Sequence, residues 1–187
     1  MNQRLNRTAV VKRAAELADE IGFEQLTFTR LGRALGIAPP GVYRHVSDLD
    51  DLRRAISHNS ARNVAVVLSS ACAGLSGHQA LSALAQALRD WAAMHPAQYA
   101  ALQIAPDPND TEGQEAAHEL ISVFASTLRS YQLEGNDLID AIRLIRSTLH
   151  GFITLELSEG FKLERPIDLT FERIIIALDA MLRGWAV

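Results

Sequence analysis

The stretch from Thr27 to Val46 constrains the fold of this chain more than any other part of it. It contains a short amphipathic segment, a Leu-Gly-Ile break at residues 35–37, and a second, very short segment. Gly36 is the natural turn residue there, because glycine adopts the positive φ that ends a helix sharply. The apolar side chains expected beneath the two segments are Leu31, Ala34, Leu35, Ile37 and Val42. The pattern predicts a helix-turn-helix, whose second helix enters the major groove of DNA.

Charge is distributed unevenly along the 187 residues. The net charge is −4, yet residues 1–55 carry nine Lys or Arg against seven Asp or Glu, and the remainder carries nine against fifteen. The positive surplus therefore lies on the segment with the helix-turn-helix. Because the surplus is small, we expect modest phosphate affinity per subunit and a dependence on two subunits binding together.

Patterns typical of enzymes, metal sites and membrane spans are missing. Residues 74–77 lack the Gly-x-Ser-x-Gly spacing of a nucleophile elbow. The six histidines show no paired metal-ligand spacing, and the lone Cys72 builds neither a thiolate site nor an internal disulfide. No run of 18 apolar residues and no signal peptide occur. We therefore expect a cytoplasmic non-enzyme without cofactor, metal or membrane contact.

Apolar residues at helical spacing continue through the rest of the chain, and no strand pattern appears. The spacing predicts a first helix over about 7–21, a long fourth helix starting near Leu49, and two final helices over about 137–159 and 169–184. Thr27 is a plausible N-cap for the second helix, Ser47 or Asp48 for the fourth. Thr111 with Gln114 resembles a capping box, and Gly74 and Gly77 are expected to end a segment.

Leu35-Gly36-Ile37, Val42-Tyr43 and His45-Val46, followed by Leu49 and Leu52, resemble the signature of the TetR family of bacterial repressors. The match covers roughly the first third of the chain. Residues 149–157 are similar to a His-Gly-centred segment in one branch of TetR C-terminal domains, although Ser147 stands where that branch usually has Trp. The resemblance implies an all-α homodimer. Residues 1–50 would form a three-helix DNA-binding domain, joined by a long fourth helix to a helical ligand-binding and dimerisation domain over 51–187.

Carried over by position, the resemblance implies a recognition helix over about Pro39–Val46. The expected DNA-binding residues are Thr29, Pro39, Pro40, Gly41, Tyr43, Arg44 and His45. Thr29, Tyr43 and His45 match positions that contact phosphates. The two prolines and Gly41 offer no side-chain donor, which leaves Arg44 as the candidate for reading a guanine. A phosphate contact by Arg44 is the alternative.

Two departures from the family pattern concern binding strength and packing. Many relatives have a Lys early in the fourth helix, where this chain has Asp48, Asp50 and Asp51. Carboxylates near DNA would repel it, so we expect weaker, more salt-sensitive binding. Gly32 stands where Ala is usual, and either permits closer helix packing or simply costs stability.

For the second domain the resemblance implies a small-molecule pocket. The expected wall residues are Trp91, His95, Tyr99, Phe124, Leu128 and His150, a mixed aromatic lining that suits a largely apolar ligand. Plainer alternatives remain for several of them. Trp91 and Phe124 fit an ordinary core equally well, His150 fits a hydrogen-bonded dimer interface better, and His95 before Pro96 fits a helix end.

The last two helices are apolar over more than one face, which requires burial on several sides. A second copy would cover part of that surface, and the expected dimerisation residues are Ile142, Ile145, Leu149, Ile175, Leu178 and Leu182.

Two functions remain open. The first is a ligand-responsive transcriptional regulator, a repressor or an activator, that binds a two-fold symmetric operator as a homodimer. Its partners would be double-stranded DNA, a small and largely apolar effector that releases it, and its own second copy. The second is a helical protein–protein interaction module whose DNA-binding head is weak, and the acidic start of the fourth helix is its support.

Overall fold

A computed structural model describes residues 5–185, and every regular element within that range is helical. The helices are α1 (Arg7–Ile21), α2 (Phe28–Leu35), α3 (Pro39–Val42), α4 (Leu49–Cys72), α5 (Gly77–Met94), α6 (Pro96–Ala101), α7 (Thr111–Thr127), α8 (Gly135–Leu157) and α9 (Ile167–Arg183). Single turns of 3₁₀ helix at Phe23–Gln25 and Arg129–Tyr131 follow α1 and α7. The all-α prediction is confirmed for this range. None of these helices is long and apolar enough to cross a membrane.

Local capping chemistry sets the helix ends around the helix-turn-helix. The Thr27 hydroxyl accepts a hydrogen bond from the Arg30 amide at 3.2 Å and begins α2. Gly36 ends α2 with φ of 68°, as predicted. Of the two caps predicted for α4, Asp48 is the one that accepts from the Asp51 amide, at 2.7 Å. The predicted bounds of α1 and the start of α4 are confirmed.

Other local predictions were wrong. The recognition helix α3 ends at Val42 rather than Val46, and a hydrogen-bonded turn continues to Val46. Gly77 begins α5 rather than ending a segment. Ala34 is exposed, because it lies on the outer face of α2. The Thr111–Gln114 capping box does not form, since Asp110 accepts from the Gly113 amide and the Gln114 side chain binds carbonyls of the preceding loop.

The chain forms two compact units. The head unit contains the residues up to Asn63 together with Met94–His118, and the body unit contains Val64–Ala93 together with the residues from Glu119 onward. The helices α4 and α7 each contribute residues to both units. The division into domains at residue 50 stays a prediction.

Apolar side chains from α1 to α4 and from α6 fill the core of the head unit. Fully buried members include Val10, Ala14, Leu31, Val42, Leu52 and Ile56. Burying each of the larger side chains in this set stabilises the fold by about 1.5–3 kcal/mol relative to exposure. The core thereby fixes the angle between α2 and α3, which the exposed recognition residues depend on.

Polar contacts bind α6 into the same unit. Asp19 of α1 accepts from the amides of Ala97 and Gln98 at 3.0 and 3.1 Å, and so caps the N-terminus of α6. The Gln98 side chain donates to Asp19 at 2.7 Å and accepts from the buried Ser60 hydroxyl of α4 at 3.2 Å. Ser57 donates to the carbonyl of Ala101 at 3.0 Å. The helix α6 is therefore hydrogen-bonded to α1 and to α4.

An Arg-centred cluster ties three helices of the body unit together. Arg89 of α5 donates to Glu156 of α8 at 2.8 Å and to Asp168 of α9 at 2.7 Å. Its guanidinium carbon lies 4.7 Å from the centre of the Phe171 ring. Because the cation has both carboxylate and aromatic partners, it is compensated where it is largely buried.

Candidate nucleic-acid interface

The turn between α2 and α3 depends on a close approach of two backbone segments. The amide of Ile37 donates to the carbonyl of Gly32 at 2.9 Å. A Cβ on Gly32 would lie 2.8 Å from the carbonyl oxygen of Ile37, closer than real Cβ contacts allow. Of the two interpretations of Gly32, the structure supports closer packing: the absence of a side chain lets the turn fold back on α2.

The outer face of this turn presents several of the predicted DNA-binding residues. Arg44 and Pro40 are exposed, and Tyr43 keeps 59% of its surface exposed. The Tyr43 ring meets the buried Phe28 ring edge to face, with centroids 4.6 Å apart and planes at 85°. This is a favoured aromatic geometry, and it holds Tyr43 in a defined position while leaving most of the ring accessible.

Arg7 joins the end of the recognition turn to the start of α4. Its guanidinium donates to the His45 carbonyl at 2.8 Å and to both carboxylate oxygens of Asp51, at 2.8 and 3.0 Å. The Asp51 carboxylate also accepts from the amide of Ser47 at 3.0 Å. The hydrogen bond from Arg7, supported by that from Ser47, lowers the pKa of Asp51 to about 2. Asp51 is therefore ionised at neutral pH, and its contacts connect the end of the recognition turn to the start of α4.

A trough lies between α2, α3 and the start of α4. Its volume is about 540 Å³, and it is lined by Phe28, Thr29, Pro39, Tyr43, Asp48, Leu49, Asp50 and Arg53. Three of the predicted DNA-binding residues, Thr29, Pro39 and Tyr43, line it together. Pro40, Gly41, Arg44 and His45 do not line the trough and lie along α3 and the turn that follows. Sequence reasoning missed Arg53 as a member of this surface.

The three carboxylates at the start of α4 have different roles. Asp51 is paired with Arg7. Asp48 caps α4, and its hydrogen bonds from the Asp51 amide and the Ser47 hydroxyl lower its pKa. Asp50 is mostly exposed and forms a loose ion pair with Arg53, at 3.4 Å. Two of the three acidic residues thus have a structural explanation that does not involve DNA.

The residues predicted to line a small-molecule pocket are divided between the two units. Trp91, Phe124 and Leu128 are buried in the body unit, where His150 is half-buried with its Nδ1 3.4 Å from the Thr154 hydroxyl. Tyr99 is buried in the head unit, where His95 lies 3.1 Å from Asp19. His95 thus precedes α6 at a helix end, as one of the alternatives expected. The six-residue pocket stays a prediction.

The six predicted dimerisation residues are buried within the single chain. Ile142, Ile145, Leu149, Ile175, Leu178 and Leu182 are all at most 9% exposed. These side chains contribute to the core of their own body unit. Their assignment to a dimer contact stays a prediction.

A polar hollow of about 630 Å³ in the body unit has no counterpart in the sequence analysis. It is lined by Ser76, Gly77, His78, Gln79, Ser130, Tyr131, Gln132 and Arg183. Two of these lining residues share one partner: Asp179 accepts from the Tyr131 hydroxyl at 2.6 Å and from Arg183 at 2.9 Å. Its lining comes from three separate segments, which is why no local pattern marks it.

Comparisons with known proteins agree with this architecture. Residues 81–178 match the family model described as the tetracycline repressor-like C-terminal domain. An uncharacterised helix-turn-helix-type transcriptional regulator of Mycobacterium tuberculosis is 31% identical over 178 residues, which cover 95% of this chain and 81% of that protein.

Solved structures share the fold. A TetR variant of Acinetobacter baumannii in complex with minocycline has a TM-score of 0.73 at 17% identity, covering 98% of this chain and 99% of that one. BioQ bound to its natural double-stranded DNA operator has a TM-score of 0.63 at 21% identity, covering 96% and 99%. The helix-turn-helix, the domain match and the relative of 31% identity lead to one conclusion: the chain belongs to the TetR family of transcriptional regulators.

Proposed function

We propose that the protein is a ligand-responsive transcriptional repressor that binds a two-fold symmetric operator as a homodimer. The observation that carries this proposal is the recognition surface itself. Arg44 and Tyr43 are exposed, while Phe28 and the Arg7–Asp51 pair hold the segment that bears them in place. Exposed donors on a rigid support are what direct readout of base edges requires.

Apolar surface on α8 and α9 supports the homodimer. Large side chains that remain 41–55% exposed there are Ile139, Leu155, Leu157, Leu169, Ile176 and Met181. Ser147, Gly151 and Thr154 are exposed on α8 at spacings of four and three residues, and so share one face. A Cβ on Gly151 would meet nothing within 4 Å. A second copy packed against this face buries the apolar side chains in a closed two-fold arrangement.

The proposed effector is a small, largely apolar molecule that binds in the body unit. Trp91, Phe124 and Leu128 are at most 4% exposed, so a ligand among them must displace packed side chains. Such a ligand favours a conformation different from the unliganded one, and that differential affinity is what a release mechanism requires. The minocycline complex of the A. baumannii relative is a precedent for ligand binding on this fold.

Fluorescence anisotropy with the full chain tests the proposal. DNA from the region upstream of the gene is compared with a scrambled duplex across a salt series. We expect a preference of about 10³-fold or more for the upstream duplex at physiological salt, with a steep salt slope. Nuclease footprinting of the same duplex should show a protected region with two-fold symmetry. Equal, weak binding to the upstream duplex, the scrambled duplex and a selected random library would contradict it.

The alternative function, a protein–protein interaction module, loses the observation that supported it. Its support was the acidic start of α4, but Asp48 caps that helix and Asp51 is paired with Arg7. Those two carboxylates are explained by the structure of the head unit.

A further inference from the structure

Arg53 is the cationic side chain in the lining of the trough. Neither the spacing nor the position of this residue in the sequence indicated a contact with DNA. We propose that Arg53 binds a backbone phosphate of DNA in this trough, and that Asp50 competes with the phosphate for the same guanidinium. This inference rests on the proposed function. It adds a positioning residue and a built-in electrostatic competitor to the recognition surface.

The geometry of α4 directs Arg53 toward the trough. Leu49 and Arg53 are four residues apart, so they lie on one face of the helix, and both line the trough. Long side chains in a helix lean toward its N-terminus. The guanidinium of Arg53 is thus carried back toward the first turn of α4, where Asp48 and Asp50 also line the trough.

The other lining residues supply the remaining parts of a phosphate site. Thr29 and Tyr43 each bring a hydroxyl that donates a hydrogen bond, and Thr29 lies in the first turn of α2. Hydroxyl donors and an arginine are the groups that most often bind DNA phosphates. Pro39 and Phe28 add apolar surface suited to contact with the sugar.

Two arginines of the head unit differ in how firmly their carboxylate partners hold them. Arg7 forms two hydrogen bonds of 2.8 and 3.0 Å with Asp51, whose side chain is 18% exposed. Arg53 contacts Asp50 at 3.4 Å, and the two side chains are 43% and 77% exposed. Exposed pairs of this kind contribute little free energy, so exchanging Asp50 for a phosphate costs little. Arg7 is structural, whereas Arg53 is free to change partner.

Asp50 then weakens the sequence-independent part of the affinity for DNA. When Arg53 turns to a phosphate, the exposed carboxylate of Asp50 remains beside the DNA backbone and repels it. Asp48 stays ionised because its hydrogen bonds lower its pKa, and it adds to the same repulsion. The trough therefore combines one cation with two nearby carboxylates, an arrangement that weakens affinity for any duplex.

The chain offers a matched control pair for this test. Arg13 and Glu16 of α1 have the same sequence separation and the same contact distance of 3.4 Å, and they belong to the head unit without lining the trough. Arg53→Gln and Asp50→Asn are compared with Arg13→Gln and Glu16→Gln. Arg53→Lys is the rescue variant, because it keeps the charge. Thermal unfolding followed by circular dichroism verifies that each variant is folded.

Anisotropy titrations of the full chain use two duplexes across a salt series: the one best enriched from a random library by the wild-type protein, and a scrambled one. We expect Arg53→Gln to weaken binding to both duplexes by a similar factor of about 10. It should also reduce the salt slope by about 0.9 per subunit. Arg53→Lys should keep the slope. Asp50→Asn should strengthen binding to both duplexes, and should do so less in the Arg53→Gln background.

An unchanged salt slope in Arg53→Gln, or an effect no larger than that of Arg13→Gln, would overturn the phosphate contact. Unchanged or weaker binding by Asp50→Asn would overturn the competition. The scrambled duplex separates this inference from the proposed function: a wild-type protein without sequence preference refutes the repressor, while the slope of its nonspecific binding still reports on Arg53.

Discussion

The guanidinium of Arg7 and the carboxylate of Asp51, 44 residues apart in the chain, form a two-point ion pair at the corner of the head unit. The same guanidinium binds the carbonyl of His45, and the same carboxylate binds the amide of Ser47. One pair of side chains thereby connects the start of α1, the end of the recognition turn and the start of α4. Its stability determines how firmly the recognition residues are held.

Asp51→Asn should lower the free energy of unfolding at pH 7 by about 1 kcal/mol, a value reduced from that of a buried pair because Arg7 is about half exposed. The pKa of Asp51 is about 2 in the folded chain and close to 4 when unfolded. Its contribution is therefore complete above pH 4 and is lost as the pH falls toward 2. Urea unfolding of both proteins between pH 7 and pH 2.5 measures this.

The deficit of Asp51→Asn should shrink over that acidic interval, and the neighbouring Asp50→Asn should show little deficit at any pH. A deficit that is the same at pH 7 and pH 2.5 would contradict the assignment.

Gly32→Ala should destabilise the head unit although alanine favours helix by about 0.5–1 kcal/mol. The added Cβ would lie 2.8 Å from a backbone oxygen that no rotamer change can move. We expect a net loss of about 1–3 kcal/mol in chemical unfolding, as for other overpacked positions. The control is Gly184→Ala at the end of α9, where φ is −80° and the Cβ makes ordinary contacts of 3.4 Å or more, so stability should rise or stay equal. A Gly32→Ala variant as stable as the wild type would refute the close approach.

Arg44→Ala should relax base preference at one guanine in each half-site of the operator. A bidentate contact from arginine to guanine discriminates by about 1–3 kcal/mol. Selection of binding sites from a random library, with wild type and variant, measures the preference. Tyr43→Phe is the control, since it keeps the ring against Phe28 and should lower affinity for all sequences alike. Unchanged base preference with uniformly weaker binding in Arg44→Ala would favour its phosphate-contact alternative.

Gly151→Arg should prevent dimerisation without unfolding the chain. The position is open in the single chain, so the side chain fits there, but a charged group would lie in the proposed contact with a second copy. Analytical ultracentrifugation should show a monomer, with unchanged circular dichroism and weakened operator binding. Ser122→Arg on the exposed face of α7 serves as the control and should remain dimeric. A dimeric Gly151→Arg would move the interface elsewhere.

Local chemistry explains what the sequence predicted correctly. Thr27, Gly36 and Asp48 act on backbone groups within four residues of themselves, so their roles follow from neighbouring residue types alone. The same reasoning selected Thr111 where Asp110 caps α7, because both residue types suit a cap and only the loop geometry decides between them.

Contacts between distant segments account for what was missed. No spacing rule pairs Arg7 with Asp51 or brings Arg53 beside Thr29, since both depend on the packing of separate helices. Periodicity identified the apolar residues of α8 and α9. It did not indicate which of them the single chain already buries: Ile142 and Leu182, two of the predicted dimerisation residues, are at most 9% exposed.

The cap that Asp19 provides for α6 has a consequence for engineering regulators by exchange of parts. Ala97 and Gln98, its backbone partners, come from a segment more than 70 residues further along the chain, and Ser60 binds the same Gln98. A transplant of the N-terminal residues alone would leave a carboxylate and a buried hydroxyl facing foreign side chains. The unit that can be exchanged is therefore discontinuous in sequence. A working chimera has to carry Met94–His118 along with the N-terminal segment.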